Sequence, residues 1–189
     1  MDTFLAPIEK PAGLQLKLIY YFVKKKFGKV LTPIKVFSSR LPVAFSNFAS
    51  SISKLDTKLQ LPAETANLIR TRVAQINTCS FCIDAARYES IQKFINVEKF
   101  DALSHYRDCP LFTKAEQAVL DYAGELTRER KVQPDTFTQL TKYFTEREIC
   151  EIVYLVATEH FYNITNIGLN IHSDMLCKVP LPSNAHLIS

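Results

Sequence analysis

Apolar residues recur every three or four positions along most of the chain, which is the spacing that one face of an α-helix produces. The clearest run is Ala66, Ile69, Val73 and Ile76, and it predicts a helix beginning near Ala63. No run of useful length alternates apolar and polar residues with the period of two that a half-buried strand requires. The pattern therefore predicts an all-α protein of seven or eight helices.

Helix boundaries are marked by residues that favour helix ends. Thr113 with Glu116, and Thr145 with Glu148, each form the pattern of a capping box, in which a hydroxyl and a carboxylate satisfy opposite backbone donors. Pro62 stands at a favoured first-turn position. These signals predict helices over 14–27 (ended by Gly28), 43–59, 63–76, Cys79 through Phe94, from Thr113 onward, Pro134 to Phe144, and Thr145 to Leu169.

The last predicted helix carries a long apolar stripe. Its members are Ile149, Ile152, Val153, Val156, Ile164 and Ile167. At 100° per residue, His160 falls within about 20° of Ile149, and Asn163 within about 40° of it. We therefore expect both polar side chains to lie on the buried face of this helix.

Composition supports a single compact domain. The 189 residues are 47% hydrophobic, which is enough to bury a sizeable core, and only four are glycine, fewer than an all-β sandwich usually needs for its turns. We expect one domain over residues 1–189, in which residues 1–60 form an N-terminal helical extension packed on a core of residues 61–175.

The basic charge is confined to the N-terminal segment. Residues 1–40 hold eight Lys or Arg and two Asp or Glu, whereas the remaining residues hold fifteen and seventeen. This distribution argues against a nucleic-acid-binding protein, which usually carries basic residues on its main recognition element. The helix over 14–27 has the character to lie on a membrane surface. The favoured interpretation is that its apolar face packs on the domain, so membrane contact is not expected.

The cysteine content and the N-terminus indicate a reducing compartment. Five cysteines are too few, and odd in number, for a secreted domain held together by disulfides. The first residues include Asp2 and Glu9 and lack the apolar stretch of a signal peptide. The longest apolar stretch, residues 14–23, contains Lys17 and is too short to span a bilayer. These features predict a cytoplasmic protein.

The sharpest chemical feature is Cys79-Ser80-Phe81-Cys82, at the break between two predicted helices. Two intervening residues bring both sulfurs to the first turn of a helix, where unpaired N–H groups and the helix dipole stabilise a thiolate. A cysteine with a pKa lowered in this way is a nucleophile, and its neighbour can close a disulfide after the attack. A structural zinc site is not expected, because no second Cys-x-x-Cys or paired-histidine motif exists. The alternative interpretation is two buried, inert cysteines in a helical core.

The segment around this pair, Arg72-Val-Ala-Gln-Ile-Asn-Thr-Cys-Ser-Phe-Cys-Ile-Asp84, resembles the core motif of the carboxymuconolactone decarboxylase/AhpD-like family. Glu159-His-Phe-Tyr-Asn163, followed by Gly168-Leu169, resembles the family's last-helix motif. Residues 4–11 and 27–30 resemble an N-terminal extension found in one branch of the family. The resemblance covers most of the chain and implies the all-α AhpD-like fold.

The resemblance also implies an activity, that of an alkylhydroperoxidase-type disulfide reductase. In peroxidase members the second cysteine of the pair is oxidised to a sulfenic acid, and the first donates a proton and resolves it. These roles correspond to Cys82 and Cys79. Helix-dipole reasoning alone favours Cys79 as the thiolate, so the division of labour between the two stays open.

Two positions depart from the family's pattern. Peroxidase members carry a glutamate twelve residues before the first cysteine and a histidine four residues after the second, whereas this chain has Asn67 and Ala86. Both members of the usual proton relay are therefore missing, and such general acid–base assistance contributes roughly 10²–10⁴-fold in rate. Our hypothesis is that His160 supplies the lost imidazole. The alternative is that His160 only satisfies a hydrogen bond in the core.

Further residues are predicted to line or support the site. They are Asn67, Phe81, Asp84, Tyr88 and Asn163. For Asp84 the alternative is a solvated acid on the first turn of the helix, where the helix dipole favours negative charge.

Together these features predict an antioxidant thiol-disulfide oxidoreductase that reduces a small peroxide or the disulfide of a partner protein. No metal or organic cofactor is expected, because the electrons come from a donor thiol. One alternative is decarboxylation of a lactone acid, the family's other activity. Another is a non-catalytic helical scaffold that has lost the Glu/His relay. Broad apolar helix faces and the family's pattern imply a homo-oligomer.

Overall fold

The computed structural model describes residues 2–92 and 96–178, and all regular elements in this part of the chain are helical. These described residues form nine α-helices: α1 Leu14–Phe27, α2 Thr32–Val36, α3 Pro42–Asp56, α4 Ala63–Ile76, α5 Ser80–Gln92, α6 Val97–Ala102, α7 Lys114–Glu129, α8 Pro134–Leu140 and α9 Glu146–Gly168. The predicted all-α class is confirmed. The count exceeds the predicted seven or eight because α2 and α6 are short helices of five and six residues. The predicted continuation of α5 to Phe94 falls on residues 93–95, outside the described residues.

Both predicted capping boxes are formed. Thr113 Oγ1 accepts the N–H of Glu116 at 3.2 Å, and the Glu116 carboxylate accepts the N–H of Thr113 at 2.8 Å. Thr145 and Glu148 make the same pair of bonds, at 3.3 and 2.8 Å. Each box satisfies two backbone donors that a helix start leaves unpaired, and this fixes where α7 and α9 begin.

Helix α4 lies at the centre of the molecule. On one side it packs against α7 and α9 around the main core, and on the other side it contacts α5. The fully buried side chains of the main core include Leu68, Ile69, Val73, Leu120, Leu140, Ile152 and Leu155. A second, smaller cluster holds both cysteines of the pair together with Val36, Ala74, Phe81 and Ile171. The pair is therefore built into packed structure at the C-terminal end of α4.

The buried face of α9 is not the one that its apolar residues predict. Val153 and Ile164 are exposed, whereas Glu159 and Asn166 are buried. On a helical wheel of 100° per residue, the buried face centres close to Glu159, about 80° from Ile149. The prediction is confirmed for Ile149, Ile152, Val156 and Asn163, which are buried, and is wrong for Val153, Ile164 and Ile167, which are exposed. The buried face is rotated because polar side chains that face a cavity and the cysteines occupy inward positions.

Polar contacts hold the N-terminal segment together and join it to the segment that follows α9. Tyr20 of α1 is buried, and its hydroxyl donates to the carbonyl of Ile8 at 2.6 Å. The N–H and hydroxyl of Thr32 donate to the Asp174 carboxylate at 2.8 and 2.7 Å, and Lys29 pairs with the same residue. Within the described residues, no helix combines the length and the apolar character needed to cross a membrane.

Glu151 of α9 joins the main core to the segment that precedes α4. Its Oε2 accepts the N–H groups of Gln60 and Leu61 at 2.8 and 3.1 Å, and its Oε1 accepts from Arg147 Nε at 3.0 Å. Burial by itself raises the pKa of Glu151, but these three donors lower it below its ordinary value. The charged carboxylate therefore stabilises the folded state.

We expect the Glu151→Gln variant to unfold with a free energy about 1–3 kcal/mol lower than the wild type at pH 7. This difference in stability should have its full size above the ordinary carboxyl pKa. It should disappear as the pH falls through the lowered pKa of the folded state, because the wild-type carboxylate then also becomes neutral. Urea denaturation at pH 7 and pH 3 measures both values. Glu146→Gln, an exposed change on the same helix, is the control, and equal losses for the two variants would contradict the prediction.

Candidate active site at the cysteine pair

The cysteine pair lies at the junction of α4 and α5. α4 ends at Ile76, Thr78 takes a left-handed backbone conformation with φ of 58°, and Cys79 immediately precedes Ser80, the first residue of α5. The carbonyl of Cys79 accepts the N–H of Ile83 at 3.0 Å, so Cys79 stands at the N-cap position of α5. The predicted location of the pair at a helix N-terminus is confirmed.

The two cysteines form a disulfide, with their Cα atoms 5.3 Å apart. Cys79 Sγ accepts the N–H of Cys82 at 3.3 Å. Asn166 Nδ2 of α9 lies 3.4 Å from Cys82 Sγ and 3.9 Å from Cys79 Sγ. After reduction, these same donors are placed to stabilise a thiolate on either sulfur.

A cavity of about 500 Å³ lies beside the pair, and Cys82 forms part of its wall. The wall is largely apolar and brings together residues from both ends of the chain. Its aromatic members are Phe27, Phe37, Phe45, Phe81 and Tyr162. Because α1, α2 and α3 supply one side of the cavity, the N-terminal segment is part of the candidate site and does not merely cover the core.

The two positions of the missing relay lie in this cavity. Asn67 and Ala86 both contribute to its wall, and Asn67 Nδ2 donates to the carbonyl of Ala86 at 3.3 Å. Asn67 Oδ1 also accepts from the Thr71 hydroxyl at 3.1 Å. The positions that the resemblance identifies are therefore neighbours, although this chain places an amide and a methyl group there.

A buried carboxyl group, Glu159 of α9, lines the same cavity as Cys82. Only 7% of the residue is exposed. Burial raises the pKa of Glu159 to about 7; the amide of Asn163 and the guanidinium of Arg70 oppose the rise, and Glu89 adds to it. Asn163 Nδ2 donates to Glu159 Oε1 at 2.5 Å. A carboxyl group with a pKa near neutrality is able to take up and release protons under physiological conditions.

His160, which we predicted to serve the sulfurs, makes its side-chain contacts with Arg130 and Asn77. Its ring nitrogens lie 2.9 and 3.3 Å from Arg130 Nη1, and Nδ1 lies 3.1 Å from Asn77 Nδ2. Burial and the Arg130 charge lower the pKa of His160, so it is neutral at pH 7. Asn77 Nδ2 also donates to Asn163 Oδ1 at 2.9 Å. His160 thus belongs to a hydrogen-bonded chain that runs through Asn77 and Asn163 to Glu159.

The other predicted support residues divide between the cavity and its surroundings. Phe81 lines the cavity. Tyr88 packs on Phe27, with ring centroids 5.5 Å apart, and so supports the wall from outside. Burial raises the pKa of Tyr88, which keeps its hydroxyl neutral.

Asp84 does not meet the prediction that it lines the pocket. Its Oδ2 accepts from the Ser173 hydroxyl at 2.8 Å and from the N–H of Leu176 at 2.9 Å. The side chain leaves α5 on the side away from the cavity and fastens the segment that follows α9.

Sequence reasoning missed the polar residues that contact the sulfurs or share their cavity. They are Lys26, Ser38, Arg70, Glu89, Glu159, Thr165 and Asn166. A signal was present for two of them. Glu159, Asn163 and Asn166 repeat at intervals of four and three on α9, in line with Ile152 and Val156, which is the spacing of one helix face.

Comparison with known proteins identifies the fold. No protein-family model matches the chain. The uncharacterized protein YnjA of Escherichia coli (strain K12) is 25% identical over 178 residues, which cover 93% of this chain and 97% of YnjA.

Two solved structures are similar over nearly the whole chain. The debrominase Bmp8 has a TM-score of 0.79 at 19% identity, covering 93% of this chain and 95% of Bmp8. A cysteine-to-alanine variant of Bmp8 has been solved with 2,3,4-tribromopyrrole. A peroxidase-related protein of Ralstonia eutropha JMP134, described as an alkylhydroperoxidase AhpD core, has a TM-score of 0.73 at 18% identity, covering 92% and 94%. The chain therefore has the AhpD-like fold, which confirms the fold that the resemblance implied.

Proposed function

We propose that this chain, which has the AhpD-like fold, is a thiol-disulfide oxidoreductase. Its substrate is a small, neutral, apolar hydroperoxide that is reduced at Cys82. The observation that carries the proposal is the position of the two sulfurs. Cys82 forms part of the cavity wall, whereas Cys79 is 1% exposed at the N-cap of α5. A substrate in the cavity therefore meets Cys82, and Cys79 is held within disulfide distance of it.

The reaction consumes two thiols for each hydroperoxide. The Cys82 thiolate attacks the terminal peroxide oxygen; an S–O bond forms, the O–O bond breaks, and the leaving alkoxide takes up a proton to become an alcohol. Cys79 then attacks the sulfur of the Cys82 sulfenic acid, an S–S bond forms, and the hydroxyl group leaves as water after taking up a proton. The disulfide is the oxidised state of the pair.

An external dithiol completes the cycle by thiol-disulfide exchange. Its thiolate attacks the Cys82 sulfur on the cavity wall, and Cys79 leaves as a thiolate. The N–H of Cys82, which donates to Cys79 Sγ at 3.3 Å, stabilises that leaving group. The second thiol of the donor then displaces Cys82, so that the donor is oxidised and both cysteines are reduced.

The cavity favours a small neutral substrate over an anionic one. A volume of about 500 Å³ accommodates an aromatic molecule, and the wall is mostly hydrocarbon. The charged or titratable groups that line the cavity are Lys26, Arg70, Glu89 and Glu159, and the Arg70 guanidinium pairs with Asp56 at 2.8 Å. The wall therefore holds as many carboxyl groups as cations and offers no excess of positive charge to a lactone acid, so the decarboxylase alternative has less support. The enclosed position of Cys82 likewise gives less support to reduction of a partner protein's disulfide.

A thiol titration separates the oxidoreductase from the non-catalytic scaffold. The fully reduced protein has five thiols. We expect one equivalent of cumene hydroperoxide to leave three, with one equivalent of 2-phenyl-2-propanol formed, and dithiothreitol to restore five. A thiol count that stays at five, with no alcohol formed, would show an inert pair and would reject the proposal.

The apolar cavity wall gives a further test of the substrate class. Ala49 of α3 lines the cavity, whereas Ala44 of the same helix is exposed. We expect Ala49→Phe to lower kcat/KM for cumene hydroperoxide roughly 10-fold or more, because the added ring occupies the space of the substrate's ring. The rate with hydrogen peroxide should change little. Steady-state kinetics measure both rates, and Ala44→Phe is the matched control.

Reductive debromination is a second candidate, supported by the similarity to Bmp8 over 93% of this chain and by the apolar cavity. In that reaction a C–Br bond becomes a C–H bond, two thiols become a disulfide, and bromide and a proton are released. We expect it to produce free bromide in the same titration when a bromopyrrole replaces the hydroperoxide. If thiols are lost with the hydroperoxide but no bromide is released from the bromopyrrole, debromination is rejected and peroxide reduction is supported.

A further inference from the structure

Peroxide reduction at Cys82 requires the transfer of a proton. Thiolate formation releases one proton, and the alkoxide that leaves must gain one, or it departs as a poor leaving group. In this chain the two relay positions hold Asn67 and Ala86, neither of which transfers protons. His160, the substitute that the sequence suggests, contacts Arg130 and Asn77 instead of the sulfurs.

We infer that Glu159 of α9 is the general acid of this site. It takes the place of the proton relay whose two positions, on α4 and α5, hold Asn67 and Ala86. The inference rests on the proposed function of Cys82 and names a further catalytic residue for it. Glu159 lines the same cavity as Cys82 and is buried within it. The Cys82 thiol loses its proton to solvent as the thiolate forms, and the protonated Glu159 carboxyl group gives its own proton to the alkoxide oxygen as the O–O bond breaks. A proton from solvent then restores the carboxyl group, so one proton is released and one is taken up in each reaction.

The surroundings of Glu159 suit a group that must carry a proton at neutral pH. The amide of Asn163, which is fully buried, donates to Oε1 of the Glu159 carboxyl group. Burial raises the pKa of Glu159 to about 7, so both protonation states are populated where the enzyme works.

Other charged and titratable groups act on Glu159 from several elements, and a pH profile includes their effects. Arg70 of α4 lowers its pKa, and Glu89 of α5 raises it. Tyr162 of α9 interacts with it as well, and burial raises the pKa of that phenol, which keeps it neutral. Asp56 of α3 pairs with Arg70 and limits the positive charge that Glu159 experiences. The pKa of Glu159, raised to about 7, is the net result of burial and of these opposing charges.

The test compares two peroxides that differ in their need for a proton. Cumene hydroperoxide releases an alkoxide, whereas perbenzoic acid releases a weakly basic carboxylate. In the Glu159→Gln variant we expect kcat/KM for cumene hydroperoxide to fall about 100-fold at pH 6, and that for perbenzoic acid to fall less than about 5-fold. The wild-type rate with cumene hydroperoxide should fall as the pH rises above about 7, and this decline should be absent from the variant. Glu129→Gln, an exposed change on α7, is the control.

The outcomes distinguish the role of Glu159 from the proposed function of Cys82. Equal losses with both peroxides would indicate a structural role and would overturn the inference while leaving the function of Cys82 intact. Full activity of Glu159→Gln with both peroxides would also overturn it. A wild-type protein that reduces neither peroxide would reject the proposed function itself. A Glu159→Asp variant that keeps the decline above neutral pH, at a lower rate, would support the inference, because it retains a carboxyl group in the cavity.

Discussion

The Cys82→Ser variant is expected to reduce cumene hydroperoxide at least about 10³-fold more slowly than the wild type. A serine hydroxyl does not ionise near neutral pH, so the cavity loses its nucleophile, while the similar size of the side chain preserves the packing around it. Cys82 is the cysteine on the cavity wall, and Asn166 Nδ2 lies 3.4 Å from its sulfur. Stopped-flow measurement of single-turnover alcohol formation, starting from reduced protein, gives the rate directly.

The Cys79→Ser variant distinguishes the roles of the two sulfurs. It should complete the first attack and then stop, with a sulfenic acid on Cys82 that dimedone labels, because no second thiol is available to resolve it. Cys150→Ser, an exposed change on α9, should behave as the wild type. If Cys79→Ser instead lost the first turnover and Cys82→Ser kept it, the attack would belong to Cys79, as the helix dipole alone favours.

The helices and the cysteine pair could be predicted because their signals are local. A capping box occupies four consecutive residues, and the Cys-x-x-Cys spacing fixes both sulfurs on one helical turn whatever packs around them. Thr113 and Thr145 therefore mark the starts of α7 and α9 correctly. The short helix α2 was missed because five residues are too few to show a helical period.

The wall of the site could not be predicted because it is a tertiary feature. Phe37, Phe45 and Tyr162 meet in one cavity although more than a hundred residues separate the first from the last. Apolar periodicity finds the buried face of a helix only when that face is apolar. On α9 the inward positions include Glu159 and Asn166. The apolar pattern therefore indicated a neighbouring face of the helix, and His160 was predicted for the site while Glu159 and Asn166 were not.

The burial of Glu159 has a consequence for stability that does not depend on any substrate. Its pKa in the folded protein is about 7, whereas the ordinary value is 4.5. The folded state therefore binds the proton more tightly than the unfolded state does. Between pH 4.5 and 7 the wild-type protein loses free energy of unfolding as the pH rises, by up to about 3 kcal/mol from this group, and the loss is complete above pH 7.

We expect the Glu159→Gln variant to be more stable than the wild type at pH 8.5, by up to about 3 kcal/mol, and to lose this advantage at pH 4. A neutral amide of nearly the same shape removes the cost of a buried charge, and at low pH the wild-type carboxyl group is neutral as well. Urea denaturation of the disulfide form at both pH values measures the difference, with Glu129→Gln as the surface control. A variant less stable than the wild type at pH 8.5 would contradict the prediction. It would mean that Arg70 and Asn163 stabilise an ionised Glu159, and a carboxylate held in that way cannot deliver a proton to a leaving oxygen at neutral pH.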